Sequence, residues 1–166
     1  MKFKPVPEAP ADLAVVTRAQ RALPLVPDAE ADCCGRLLDR VDLPDRETAQ
    51  TWLTFLRALG LAEETDRGFR RTRVDADPET LRTALLDRVF AADAVWAALE
   101  AADGPLTADE AFDRVRESVP EWERHRNPGT WEAVWRERVG RLLSWLVLLG
   151  GAERVGDGDD ARYAPV

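Results

Sequence analysis

The chain has 166 residues and a formal charge of −8, from 31 acidic and 23 basic side chains. That length fits one domain or two very small ones, and 45% apolar with 33% charged residues describes a globular chain, not a disordered one. No apolar run approaches the ~18 residues of a membrane-spanning helix, and residues 1–10 lack the apolar core of a signal peptide, so a cytoplasmic protein with no membrane partner is expected.

In chain order, the first predicted element is an amphipathic helix over 12–23. A second helix spans 28–41, with Ala31, Cys34, Leu37, Leu38 and Val41 at apolar spacing. Cys33 and Cys34 are the only cysteines; adjacent helical residues diverge by about 100°, which does not suit a disulfide, and C-x-x-C spacing is absent. Asp42-Leu43-Pro44-Asp45 is a turn, and Asp45 is placed to cap a third helix over 46–59. Its inward stripe is Ala49, Trp52 or Leu53, Leu56 and Leu59. Gly60 ends it, residues 61–64 and 69–73 read as two strands, and Thr65-Asp66-Arg67-Gly68 is the turn between them. Asp77-Pro78-Glu79 opens a connecting helix to about Phe90, with Asp as cap and Pro in the first turn.

The chain then repeats itself. Leu53-Thr54-Phe55-Leu56-Arg57-Ala58-Leu59-Gly60-Leu61-Ala62-Glu63 returns ninety residues later as Leu143-Ser144-Trp145-Leu146-Val147-Leu148-Leu149-Gly150-Gly151-Ala152-Glu153. Two copies at this spacing point to two similar small domains, not to a solenoid. The second copy has a helix over 92–102, a break at Gly104-Pro105, and a Thr107-x-x-Glu110 capping box opening a helix to about Val119. A loop from 120 to 128 follows. A long helix from about 129 to 149 carries Trp131, Val134, Trp135, Val139, Leu142, Leu146 and Leu149 on one face. Strands at 152–155 and 162–164 close around a tip at 156–160.

Helix, turn, longer helix ending in Leu-Gly, then a short hairpin closing on an aromatic (Phe69, Tyr163): this pattern resembles the winged helix-turn-helix superfamily, twice over. The implied fold is mainly α with small β-hairpin wings. It consists of winged-helix domains at 11–74 and 91–166, joined by a helix at 75–90. With 21 Arg, 2 Lys, 25 Ala, 17 Asp and no Ile, the composition resembles that of a haloarchaeal protein, with a high-G+C actinobacterium as the other source considered.

The resemblance implies a DNA reader whose third helix enters the major groove. Carried onto the first copy, the contact residues are Arg46, Gln50, Thr51, Thr54 and Arg57, with Arg67, Arg70, Arg71 and Arg73 of the wing set for phosphates. Residues 46–73 hold six Arg and four acids, a local +2. The second copy has an acidic tip (Asp157, Asp159, Asp160) that phosphate would repel. Its long helix is apolar on most sides, so Trp131, Trp135, Trp145 and Leu148 are expected at an interface with the first copy, a second chain or a partner protein. The leading expectation is a transcriptional regulator bound to double-stranded DNA. The alternative is a non-catalytic adaptor subunit, as in condensin-like or membrane-sorting complexes. Acids such as Glu63 and Glu64, interleaved among the wing Arg, would favour the adaptor. His125 is the only histidine, and no nucleotide loop, metal motif or nucleophile–base constellation occurs. No cofactor, metal or catalytic residue is expected. The Gly-Asp-Gly-Asp-Asp run at 156–160 is read as a hairpin tip, since it lacks the twelfth-position Glu of a calcium loop.

Overall fold

A computed structural model describes residues 2–166, and the chain divides into two compact units, Met1–Phe90 and Ala91–Val166. Each is a winged helix.

In unit 1, α1 (Leu13–Ala22) starts at Asp12, whose carboxylate accepts the Ala14 N–H at 2.8 Å. Helix α2 (Glu30–Val41) buries Cys33, Cys34, Leu37 and Val41, whereas Ala31 is exposed. Asp42 then turns the chain with a left-handed φ of 57°. Helix α3 (Arg46–Ala58) packs on α2 and buries Ala49, Trp52, Leu53, Phe55, Leu56 and Ala58. Both Trp52 and Leu53 face inward, so the apolar arc is wider than a single stripe. The wing is β1 (Ala62–Thr65) paired antiparallel with β2 (Gly68–Arg71), in the register Glu63↔Arg70. Gly68 has φ +124°, and a Cβ there would fall 2.1 Å from the Asp28 carbonyl oxygen. Only glycine fits, because Asp28 and Phe69 exchange backbone hydrogen bonds of 3.0 and 2.8 Å at this point. Helix α4 (Pro78–Arg88), capped by Asp77, belongs to unit 1: its Leu81 and Leu85 are fully buried. The unit also takes in the N-terminal segment, where Phe3 donates its N–H to the Arg88 carbonyl and accepts from the Phe90 N–H, both at 2.8 Å.

The one buried polar side chain among the described residues is Gln20. Its amide nitrogen donates toward the carbonyls of Leu61 (3.5 Å), Thr72 (3.2 Å) and Val74 (2.8 Å), tying α1 to both ends of the wing.

Unit 2 repeats the plan with α5 (Ala92–Ala101), β3 (Leu106–Thr107), α6 (Ala108–Val115), α7 (Glu121–Arg126), α8 (Trp131–Leu148), β4 (Ala152–Val155) and β5 (Arg162–Pro165). The capping box of α6 forms as expected, Thr107 with Glu110. Three features depart from the sequence reading. The two residues before α6 form a strand, Leu106 opposite Tyr163, just as Asp28 meets Phe69 in unit 1. The expected loop at 120–128 contains α7, and α6 ends earlier, in a 3-10 turn at Arg116–Ser118. Val134 lies off the inward face of α8 and is 47% exposed.

Candidate nucleic-acid interface

The outward face of α3 is set by its cap. Asp45 accepts the Thr48 N–H at 2.8 Å and the Thr48 hydroxyl at 2.7 Å, and these bonds hold its carboxyl below the ordinary carboxylate range. The helix begins at Arg46, so the stripe opposite the buried one runs through Arg46, Gln50, Thr54 and Arg57. Arg46 and Gln50 are exposed, while Thr51 and Thr54 are half-buried. The Arg46 guanidinium makes one long contact to the Ala31 carbonyl, 3.4 Å. The Thr51 hydroxyl donates back to the Glu47 carbonyl at 3.2 Å and faces its own helix, not an incoming base edge.

The wing arginines divide into two groups. Arg70 lies directly opposite Glu63 in the register, and its Nε donates to Glu63 Oε1 at 2.6 Å. Arg57 stacks between two rings, 5.5 Å from the Phe3 centroid and 5.4 Å from that of Phe69, and pairs with Glu64 at 3.9 Å. Arg71 donates to the Arg21 carbonyl at 3.1 Å. Arg57 and Arg71 tie the wing to α3, to the N-terminal segment and to α1, and Arg70 joins the two strands of the wing to each other. Arg67 at the tip and Arg73 beyond β2 are the exposed members. The nine residues therefore do not form one continuous cationic face. Arg46, Gln50, Thr54, Arg67 and Arg73 present themselves outward, and Arg57, Arg70 and Arg71 are engaged within the unit. Phe3 was missed from the sequence, although Lys2-Phe3-Lys4-Pro5-Val6 carries the alternation of a strand.

Unit 1 carries 14 basic and 16 acidic side chains; unit 2 carries nine and fifteen. Asp157, Asp159 and Asp160 are all exposed at the second wing tip. Of the four residues expected at an interface, Trp135 and Trp145 are 1% and 0% exposed and have no surface to offer a second chain: they fill the inward face of α8. Trp131 and Leu148 are half-buried. The Trp131 ring is flanked by Arg124 at 4.8 Å and Arg116 at 5.1 Å, and Arg116 pairs with Glu132 at 2.8 Å.

An open groove of about 450 Å³ borders α4, lined in part by Asp77, Glu79 and Asp87, carboxylates that would repel an anion. Among the described residues no cluster of His, Cys, Asp or Glu could hold a metal ion, and no helix is long and apolar enough to cross a membrane.

A family model described as a halobacterial double winged helix domain matches residues 1–165. Neither the curated proteins nor the solved structures searched contain a match.

Proposed function

The chain belongs to the halobacterial double winged helix domain family, and from that premise we propose that it is a DNA-binding transcriptional regulator of the cytoplasm. Unit 1 contacts double-stranded DNA, and unit 2 supplies dimerisation or partner docking. The observation that carries this reading is the outward stripe of α3. It is polar, exposed at Arg46 and Gln50 and half-buried at Thr54, while the inner face is buried. Gln and Arg in such places read base edges, and Arg67 and Arg73 flank the helix as phosphate contacts. The fold alone would not carry this assignment, because winged helices serve DNA readers and protein adaptors alike.

One observation favours the adaptor reading. Glu63 and Glu64 neutralise Arg70 and Arg57, and unit 2 is strongly acidic. The two readings separate in a duplex-binding series over salt concentration, with the fold monitored by circular dichroism. Two arginine–phosphate contacts per chain (Arg67, Arg73) give a slope of about −1.8 in log K against log salt. Arg67→Glu with Arg73→Glu should weaken binding and flatten that slope. Arg70→Glu with Arg71→Glu tests the rest of the wing and should have the smaller direct effect. No binding at low salt by the folded chain rejects the regulator reading in favour of the adaptor.

A further inference from the structure

Gly140 lies in the middle of α8, where a glycine weakens a helix. Nothing within unit 2 calls for it: a Cβ built there meets no atom of the unit within 4 Å. The stripe that runs through it, opposite the buried Trp135, Val139, Leu142 and Leu146, is Ala133, Glu137, Gly140, Ser144 and Leu148. Its middle is small. Its ends are apolar, with Leu148 half-buried and Val134, beside the stripe, 47% exposed. Beside the glycine, Glu137 and Arg141 form an ion pair of 2.7 Å with side-chain exposures of 65% and 32%.

We infer that this face of α8 is a twofold interface with a second copy of the chain. The inference rests on the dimerising role proposed for unit 2 and names the surface that performs it. The charges are self-complementary. An antiparallel crossing near Gly140 brings the carboxylate of each helix toward the guanidinium of the other, and does so twice. The same crossing turns Val134 of each helix toward the Leu148 end of its mate. A residue without a side chain at the crossing lets the axes approach to the ~8 Å lower limit of helix packing. An isologous contact of this kind closes a dimer and leaves no free sticky face. Nucleic acid is disfavoured as the occupant, because unit 2 has fifteen acids against nine bases.

The test is sedimentation equilibrium of the full chain over a concentration series in concentrated KCl, with duplex binding measured in parallel. The wild-type chain should dimerise. Gly140→Leu should raise the dimer Kd at least tenfold without lowering the melting temperature, since the space is open within unit 2. Glu137→Arg alone should weaken the dimer, and Glu137→Arg with Arg141→Glu should restore it. Gly140→Ala should raise the melting temperature, which shows that the glycine is not needed by the monomer. A wild-type chain that stays monomeric at every concentration, or an unchanged Kd in Gly140→Leu, overturns the proposal. So does a Gly140→Leu chain that dimerises normally but loses duplex binding, which would place DNA on this face. A glycine-sensitive dimer that binds no duplex supports this interface while rejecting the regulator reading.

Discussion

Replacing Gln20 by Leu keeps the side chain's volume and removes its amide. The Gln20 nitrogen has two hydrogens, and its two shorter contacts are to Val74 at 2.8 Å and Thr72 at 3.2 Å. The third acceptor, the Leu61 carbonyl, keeps the Thr72 N–H at 3.0 Å and is not stranded. The substitution therefore removes about two hydrogen bonds and leaves two part-buried carbonyls without that donor. At about 1 kcal/mol for each bond, with some desolvation penalty added, the loss is about 2–3 kcal/mol. Unfolding entropy near 2.1 cal/mol/K per residue converts this to a fall of about 10–15 °C if the 90 residues of unit 1 melt by themselves. If all 166 residues melt together, the fall is about 6–9 °C. Scanning calorimetry in concentrated KCl reads both the size of the shift and the number of transitions. A drop below about 2 °C would refute the idea that Gln20 pins the wing. Arg73 lies between the two tethered carbonyls, so duplex affinity should fall with the same substitution.

Three further outcomes follow from the packing. Gly68→Ala forces a methyl against the Asp28 carbonyl at φ +124° and should cost at least about 2 kcal/mol in urea unfolding. Cys33 and Cys34 are both fully buried, and burial pushes the Cys33 thiol up to about 11, so a disulfide-exchange reagent at pH 8 should label the native chain far more slowly than the unfolded one. Asp45, Glu110 and Glu132 have carboxyls held below their ordinary values of 3.8, 4.5 and 4.5, by Thr48, by Thr107 and by Arg116. A folded value below the unfolded one gives stability that is present above pH ~4.5 and lost as pH falls through the folded value. The melting temperature should therefore be level from pH 7 to 5 and fall below about 4.5, less steeply in Glu132→Gln.

Local grammar made much of the fold legible in the sequence. Asp45, Asp77 and Thr107 cap helices as expected, and the Leu-Gly pairs end α3 and α8, because caps and glycine stops act through neighbouring atoms. Contacts made at a distance were harder to read. Leu106–Thr107 is a strand only because Tyr163 and Arg162 lie opposite, and α7 is too short for its periodicity to show. The candidate site was legible as a list of residue types but not as a surface. A run of arginines has the same composition whether the guanidiniums are open, as at Arg67, or occupied, as at Arg70 against Glu63 and Arg57 between Phe3 and Phe69. The cross-strand register decides the Arg70 case, and Phe3 comes from more than fifty residues away. Trp135 and Trp145 likewise matched an interface pattern that is also the pattern of a core.

The account's central claim is that DNA meets unit 1 along the outward face of α3. Titrating the labelled chain with duplex DNA while following backbone amide resonances tests it most directly. The prediction is shift changes that saturate and centre on Arg46 to Thr54 and on the wing tip at Asp66 to Gly68, with residues 156–160 unmoved. Changes confined to unit 2, or none at saturating duplex and low salt, would contradict it.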